Sequence, residues 1–364
     1  MLQIIRKTII FALLTSLAVP LQSQDSIPVR NFKWGLSAYV EGFYSYDFSK
    51  PPDHNRPWFL YNFNRAGKPA VNFAFAKLSI THAKIRANLA LATGTYVRAN
   101  YAGEPDWAKP LLEANAGLKL SKKKDLWIDA GIFPSHIGFE SATGKENWTL
   151  SRSMVAENSP YFETGIRLSY RSPNAKWYMA SLLLNGWQRI TQQKGSSLIN
   201  GGIQVTYTPS DKLTLNYSNF IGMPEKDSLN IRRTYHNLYA IGQLNKILGI
   251  TFGFDLGTDR YANNNTAKTW FTPVLITRIK LDQQWAIAFR TEYYADKSGA
   301  LIVTNTPNGF SSFGASANVD FAWKKFALFR AEYRLLTSRD PIFYGNPSLA
   351  TNNNAITLSA AFWY

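Results

Sequence analysis

The histidines are the residues best suited to chemistry in this chain, and their spacing argues against a reactive site. His54, His82, His136 and His236 have no partner at the two- or four-residue spacing of a zinc motif. His136 lies four residues before Glu140, which suggests a metal pair or an acid–base couple, but a single histidine near a loop turn is more often a hydrogen-bonding residue. The chain has no cysteine, no Gly-x-Ser-x-Gly elbow and no paired-carboxylate motif. We therefore expect no catalytic residue, metal or cofactor.

Charged residues recur on one face of segments that alternate in polarity. The basic residues of this face are Lys84, Arg86, Arg98, Lys119, Arg167, Arg290, Arg330 and Arg334. The acidic ones are Glu113, Asp129, Glu163, Glu292, Asp320 and Glu332. In a lumen, a row of unpaired arginines biases passage toward anions. An equally weighted alternative is that the charges pair across neighbouring strands and only brace the interior.

The elements that must position these charges are strands, because apolar and polar residues alternate with a period of two. The last segment places Ile356, Leu358 and Phe362 on one face and Thr357 and Ser359 on the other. One apolar, aromatic-ended face and one small polar face are typical of a strand between lipid and a watery lumen. A half-buried strand of a soluble sheet is the alternative for this segment taken alone.

Tight polar turns and longer loops follow each other in strict alternation along the chain. The predicted tight turns are Thr81–Ala83, Ser121–Asp125, Ser172–Lys176, Pro209–Lys212, Asn245–Lys246, Asp282–Gln284 and Lys324–Lys325. The predicted loops are Lys50–Pro69, Asn100–Pro110, Pro134–Pro160, Gly186–Ser197, Gly222–Thr234, Arg260–Lys268, Asp296–Asn308 and Ser338–Asn352. These connections predict about sixteen antiparallel strands, an even number that places both termini and the tight turns on the periplasmic side of a transmembrane β-barrel.

The loop Pro134–Pro160 is the longest connection between two clear strands, and loops of this length are usually functional or disordered. It is too apolar for a solvated tail, so we predict that it folds into the barrel mouth and narrows a pore. An ordered external flap is the alternative. The candidate constriction residues are His136, Phe139, Glu140, Glu146, Trp148 and Arg152.

The N-terminus indicates export. Arg6 and Lys7 precede the apolar stretch Thr8–Leu21, which is shorter than the roughly 20 residues of a membrane-spanning helix. We predict a signal peptide over residues 1–23, a short segment over 24–34 and a barrel over 35–364. The net charge is +16, and removing residues 1–23 with Arg6 and Lys7 leaves +14. Because basic residues are scattered along the chain, we expect no nucleic-acid partner.

Several dispersed segments resemble the porin-like outer-membrane β-barrel family described as OmpL-like, or porin-2. The matching stretches are Glu41–Phe48, Leu60–Arg65, Gly94–Gly103, Glu113–Leu120, Leu126–Ala142, Asn147–Ser153, Ser159–Tyr170 and Leu184–Gln188. The resemblance implies a porin-like barrel of poorly defined solute preference and no catalytic residue. It also implies that the barrel-assembly machinery reads the last strand, with Phe362, Trp363 and Tyr364 as the signal.

These observations predict a bacterial outer-membrane channel through which small hydrophilic solutes diffuse passively, with a weak preference for anions. Candidate pore-lining residues are the eight basic residues named above with Glu113 and Glu163, and Arg86, Arg98 and Arg167 are the strongest of them. We place Arg86 and Arg98 on one strand face that leads to the mouth. A plugged barrel that serves an outer-membrane complex is the main alternative, and a barrel hydrolase acting on lipid is weaker. Outer-membrane lipid is the surrounding partner, and a homo-oligomer remains open.

Overall fold

The computed structural model describes residues 32–192, 194–196, 200–224 and 227–364. The predicted signal peptide, and most of the short segment that follows it, lie outside these residues. The first strand begins at Lys33, two residues before the predicted start of the barrel.

Sixteen antiparallel strands close into one barrel, as the alternation predicted. The strands are β1 (Lys33–Asp47), β2 (Ala70–Thr81), β3 (Ile85–Thr93), β4 (Leu111–Lys119), β5 (Asp125–Pro134), β6 (Phe162–Arg171), β7 (Trp177–Leu184), β8 (Asn200–Ser210), β9 (Leu213–Gly222), β10 (Ile231–Gln243), β11 (Leu248–Tyr261), β12 (Thr266–Lys280), β13 (Trp285–Asp296), β14 (Phe310–Trp323), β15 (Ala327–Ser338) and β16 (Asn352–Trp363). Two short helices, α1 (Thr95–Asn100) and α2 (Met154–Glu157), lie in the connections. No helix within the described ranges is long and apolar enough to cross a membrane.

The barrel closes where β1 pairs with β16. Val40 lies opposite Phe362 and Tyr39 opposite Trp363 in this antiparallel pair. Closure leaves no unpaired strand edge, which lipid could not satisfy with hydrogen bonds.

Strand side chains alternate between an exposed apolar face and a buried polar face. Leu89 and Leu91 of β3 and Phe252 of β11 are exposed on the outside, whereas Asp255 of β11 and Arg290 of β13 are buried inside. This arrangement is the one expected when lipid surrounds the wall and polar groups face the interior.

The prediction of a long loop over Arg260–Lys268 is wrong. The segment Arg260–Lys268 is mostly strand, because Asp259 pairs with Lys268 and Arg260 with Ala267 before a four-residue turn over 262–265. Asn265 adopts φ 52° at this turn, a left-handed conformation that asparagine tolerates better than most residues. The asparagine run is therefore a tight turn between long strands.

Two of the longer connections fold into the barrel interior. Residues 48–69 and 135–161 contribute buried apolar side chains to one cluster with inward residues of the wall. Among them, Phe59 packs against Phe310 with ring centroids 4.8 Å apart, and Met154 is fully buried. The interior thus contains a packed apolar core.

Candidate functional site

The loop over residues 135–161, which we call the inner loop, lies inside the barrel. Leu150, Arg152 and Met154 of this loop have no solvent-exposed surface. Ser153 caps α2 by accepting a hydrogen bond from the backbone N–H of Ala156, as serine commonly does at a helix N-terminus. The inner loop is therefore an ordered element of the interior.

Arg330 of β15 clamps the inner loop through its backbone. Its Nη1 and Nη2 atoms donate hydrogen bonds to four carbonyl oxygens within residues 144–149, at 3.0–3.1 Å. The same guanidinium donates from Nε and Nη2 to the two carboxylate oxygens of Asp320, at 2.8 and 2.9 Å. One buried arginine thus joins two strands and the loop.

A second group of buried charges holds the next part of the inner loop. Arg290 of β13 donates to the carbonyl oxygen of Ser151 at 2.6 Å, and the Ser151 N–H donates to Glu332 at 2.9 Å. Arg334 donates to Glu292 at 2.8 Å, and Glu292 accepts the N–H of Met154. Carboxylates and guanidinium groups therefore bond to each other and to the loop backbone.

The inward side chains of β13–β15 that hold the loop form what we call the anchored wall. Arg290, Arg330 and Arg334, which the sequence placed among the candidate pore-lining residues, have side chains that are 0–2% exposed. They face the interior as predicted, but the inner loop covers them. In this structure they contact protein rather than an open passage.

The inward side chains of β2–β6 form the open wall, where three charge pairs keep a partly exposed cation. Glu163 at the start of β6 is the exception among the candidate pore-lining residues of this wall, because it is 1% exposed and bonded to His136 of the inner loop. Lys77 pairs with Glu113 at 2.6 Å, and Arg86 and Arg167 pair with Asp129 at 2.5 and 3.4 Å. The three basic side chains are 27, 32 and 21% exposed.

Two further candidates lie near the tight-turn ends of these strands. Lys119 is half-buried, 3.8 Å from Asp125, and Lys84 is exposed beside the turn between β2 and β3.

Arg86 also stacks on Trp127, with its guanidinium carbon 4.4 Å from the ring centroid. Stacking orients a guanidinium without neutralising it.

A cavity of about 550 Å³ separates part of the inner loop from the open wall. Phe75, Lys77 and Glu113 line it from the wall, and Phe139, Glu140 and Lys145 are among the loop residues on the other side. Both charged and aromatic side chains therefore face this space.

His136 and Glu140 do not form a couple, because each has its own partner. His136 Nδ1 lies 2.8 Å from a Glu163 carboxylate oxygen, and its Nε2 lies 2.7 Å from the carbonyl oxygen of Asn219. Burial lowers the pKa of His136, but the Glu163 carboxylate outweighs burial and the net shift is upward. Glu140 accepts hydrogen bonds from the N–H and hydroxyl of Ser153. In the described part of the chain, no three potential ligand side chains come together as a metal site.

The remaining constriction candidates have different surroundings. Phe139 packs near Tyr239, with ring centroids 5.8 Å apart, and Trp148 is half-buried. Glu146 is exposed. Arg152 donates hydrogen bonds to three backbone carbonyls of its own loop, at 2.6–3.0 Å. Arg152 therefore shapes the loop from within.

The placement of Arg98 on the strand face of Arg86 is wrong. β3 ends at Thr93, and Gly94 adopts φ 126°, where a Cβ would collide with the backbone carbonyl of Asn72. The chain then enters α1, on which Arg98 is exposed. A glycine that permits positive φ ended the strand earlier than the polar pattern suggested.

The three terminal residues have three different environments. Phe362 faces outward and packs near Phe329, with ring centroids 5.9 Å apart. Lys145 of the inner loop lies 4.6 Å from the ring centroid of Trp363. Tyr364 exchanges two backbone hydrogen bonds with Ala38, at 3.0 and 3.2 Å. The last residues thus help close the barrel and contact the loop.

Two basic residues with distinctive environments were missed by the sequence analysis. Lys77 shares one face of β2 with Phe73 and Phe75, and this period of two could have indicated it. Arg56 lies in the loop between β1 and β2 and is 4% exposed. No periodicity predicts the burial of a loop arginine, because distant segments of the chain cover it.

The fold is similar to that of solved outer-membrane proteins. An anion-selective porin from Comamonas acidovorans shares 9% identity, with a TM-score of 0.62 and coverage of 92% of this chain and 100% of that one. The outer membrane channel DcaP of Acinetobacter baumannii shares 9% identity, with a TM-score of 0.60 and coverage of 92 and 98%. In vitro folded OmpT of Vibrio cholerae, in a trimer form, shares 7% identity, with a TM-score of 0.58 and coverage of 92 and 99%. At these identities the likeness concerns the fold.

Sequence comparison identifies the family. Residues 33–364 match the family described as "Putative beta-barrel porin-2, OmpL-like", and the chain belongs to this family. The resemblance noted from the sequence is confirmed. Comparison with curated proteins gives no match.

Proposed function

We propose that this barrel is an outer-membrane channel for passive diffusion of small hydrophilic solutes, and that the solutes pass along the open wall. The observation that carries the proposal is the uneven attachment of the inner loop. Buried charges of β13–β15 bond to the loop over residues 144–154, whereas its hydrogen bonds to the open wall are those of Ser135 and His136 to Glu163, where the loop begins. Its backbone is bonded to buried Arg330, Arg290 and Glu332. The basic side chains of β2–β6 keep 21–32% of their surface exposed. A loop fixed mainly to one side of a wide barrel narrows a passage without filling it.

The charges of the open wall support a modest preference for anions. Lys77, Arg86 and Arg167 are partly exposed, whereas their partners Glu113 and Asp129 are 10 and 1% exposed. A permeating ion therefore meets guanidinium and ammonium groups first. Asp125, which is 46% exposed near Lys119, limits the bias. Short-range fields of this kind act on permeation most strongly at low ionic strength.

A plugged barrel is the second candidate, and one observation favours it. The cavity beside the open wall shares no lining residue with either of the two cavities of the outer mouth. A barrel sealed at that level would serve as a structural subunit of a membrane complex.

Single-channel recording in planar bilayers separates the two candidates. We expect discrete conductance steps from the purified full-length barrel, and a reversal potential in a salt gradient that favours chloride. Absence of steps from correctly folded protein would support the plugged barrel. Conductance steps with a cation-selective reversal potential would support the channel but contradict the proposed anion preference.

The same proposal covers location and partners. The band of exposed apolar side chains would contact outer-membrane lipid, and residues 1–23 would direct export. The barrel-assembly machinery would recognise the last strand, and barrels would act singly or as a homo-oligomer. N-terminal sequencing of protein purified from outer membranes tests the export step, because a mature chain that begins near Gln24 is expected.

A further inference from the structure

The outer mouth contains a second cavity of about 740 Å³, at the seam between β1 and β16. Asp47 and Asn353 line it at the ends of those strands, and Arg56, Trp58 and Asn64 line it from the loop between β1 and β2. Its volume lies within the range of about 300–1,000 Å³ that is typical of small-molecule sites.

Arg56 presents buried hydrogen-bond donors that no protein group accepts. The residue is 4% exposed, and its Nε and Nη2 atoms have no hydrogen-bond partner. The nearest carboxylate oxygen, Asp47 Oδ2, lies 3.7 Å from Nε, beyond hydrogen-bond distance. Burial also lowers the pKa of this guanidinium, although Asp47 opposes the shift. Burying a hydrogen-bond donor without a partner costs free energy of folding. The two unpaired donors of Arg56 therefore need an explanation.

In two other buried arginines, the Nε and Nη2 atoms both donate to a single carboxylate, as a fork of two hydrogen bonds. Arg233 donates from Nε and Nη2 to the two carboxylate oxygens of Asp259, at 2.8 and 2.6 Å. Arg330 contacts Asp320 in the same way. Arg167, Arg278, Arg290 and Arg334 each lack a hydrogen-bond partner at Nε alone, so among the described arginines Arg56 stands apart in having two unpaired buried donors.

Asp47 does not complete the fork because other donors hold it. Asn353 Nδ2 donates to both carboxylate oxygens at 2.9 Å, and the N–H of Ser49 donates at 3.0 Å. This arrangement fixes the Asn353 amide, since rotating it would turn its oxygen toward the carboxylate. Asn353 Oδ1 then has no partner, and neither has Asn64 Oδ1. Residues that line the cavity thus carry two unpaired buried donors and two unpaired buried acceptors.

A ligand that satisfies this set must both accept and donate hydrogen bonds, as hydroxyl groups do. A carboxylate ligand would leave both amide oxygens unpaired and would be repelled by Asp47. The side chains of Trp58 and Tyr344 at the rim are 53 and 38% exposed. Aromatic faces of this kind suit the apolar face of a sugar ring. We infer that this cavity binds a neutral saccharide of one or two rings, held by Arg56, Asn64 and Asn353 and stacked on Trp58. The inference rests on the proposed function in that it names a solute class for the outer mouth of the channel.

Isothermal titration of the folded full-length barrel in detergent tests the site, with maltose, cellobiose and lactose as neutral probes and succinate as an anionic one. We expect at least one disaccharide to bind, and Trp58→Ala and Arg56→Lys each to weaken its affinity about tenfold. Arg56→Lys keeps the charge but removes the fork. Trp107→Ala is the matched control, because Trp107 is 67% exposed and does not line the cavity. Heat-modifiable electrophoretic mobility checks that each variant is folded.

Three outcomes would overturn the inference: no disaccharide binding, disaccharide binding that both variants leave unchanged, or binding of succinate alone. The titration needs no membrane and no open lumen, so it is independent of conductance. A barrel that binds a disaccharide but does not conduct would count against the channel only. A barrel that conducts but does not bind would count against the saccharide site only.

Discussion

The anchored wall and the open wall carry the same kinds of side chain but use them differently. Arg290 and Arg330 are fully buried and bonded to the inner loop, whereas Arg86 and Arg167 share Asp129 and remain partly exposed. All four face inward on antiparallel strands. The position of one loop therefore decides which arginines support the fold and which can meet a solute.

The energetic cost of losing a charge should differ between the walls for the same reason. Removing one member of a buried, hydrogen-bonded ion pair leaves the other uncompensated and costs about 3–5 kcal/mol. A pair whose cation is partly exposed should cost less to break, because water and salt screen that cation. A substitution on the anchored wall should therefore cost more stability than the same substitution on the open wall.

Both walls depend on the seam between β1 and β16. Deleting Phe362–Tyr364 removes the pairing of Val40 with Phe362 and the backbone hydrogen bonds between Tyr364 and Ala38. Unpaired backbone groups in lipid cost several kcal/mol each, so we expect the truncated chain not to insert. The assay is heat-modifiable mobility of outer-membrane fractions. Normal amounts of folded barrel would show that the terminal residues are dispensable.

Arg330→Ala should have the next largest effect. It removes four hydrogen bonds to the inner loop and leaves Asp320 buried, with Arg278 3.8 Å away as the remaining cation. We expect the free energy of unfolding in detergent to fall by about 3–5 kcal/mol. Arg86→Ala on the open wall is the matched control and should cost clearly less, because it removes no hydrogen bond to the inner loop and leaves Arg167 3.4 Å from Asp129. Equal losses in the two variants would erase the distinction between the walls.

Glu157 should give a smaller, pH-dependent effect on the outer side of the inner loop. It accepts hydrogen bonds from the N–H groups of Tyr61 and Asn62, yet burial raises its pKa to about 7. A carboxyl group whose pKa is raised on folding contributes stability at low pH, which is lost as the pH rises through about 7. Each pKa unit corresponds to about 1.4 kcal/mol.

The unfolding midpoint in urea should therefore fall between about pH 5 and pH 8 in the unmodified protein. Glu157→Gln, which cannot ionise, should show a smaller fall over the same range. A fall of the same size in both proteins would mean that Glu157 is not the titrating group.

The smallest predicted effect is on selectivity. Reversing Arg86, Arg98 and Arg167 to Glu should move the reversal potential toward cations, because two of these residues lie on the open wall and Arg98 is exposed on α1. The shift should shrink as salt rises, since moderate salt screens charges over about 10 Å. Reversal of Arg86 and Arg167 alone should retain most of it. An unchanged potential would identify these arginines as structural.

The barrel could be predicted from the sequence because its signals are local. Leu89 and Leu91 alternate with Asn88 and Ala90 within one strand, and all seven tight turns fall between neighbouring strands. The errors also have local causes: Gly94 ended a strand early, and the asparagines near 263 formed a turn between long strands.

The division into two walls could not be predicted, because it depends on contacts between residues far apart in the chain. Arg330 lies about 180 residues from the loop carbonyls that it binds, and nothing in its neighbourhood in sequence distinguishes it from Arg86. Likewise, the unpaired donors of Arg56 arise only once Asn353 has taken the carboxylate of Asp47. Charge at an inward position predicts a role in the interior but not which role.

The most direct test of a passage along the open wall is chemical access to cysteines placed on each wall. The chain has no cysteine, so Ser79→Cys on β2 and Ser316→Cys on β14 each introduce a single thiol. Ser79 is half-buried beside the open wall, and Ser316 is 6% exposed on the anchored wall. During single-channel recording, a water-soluble methanethiosulfonate reagent should react with Ser79→Cys and lower its conductance, and it should leave Ser316→Cys unchanged. Faster modification of Ser316→Cys, or equal modification of both, would contradict the account.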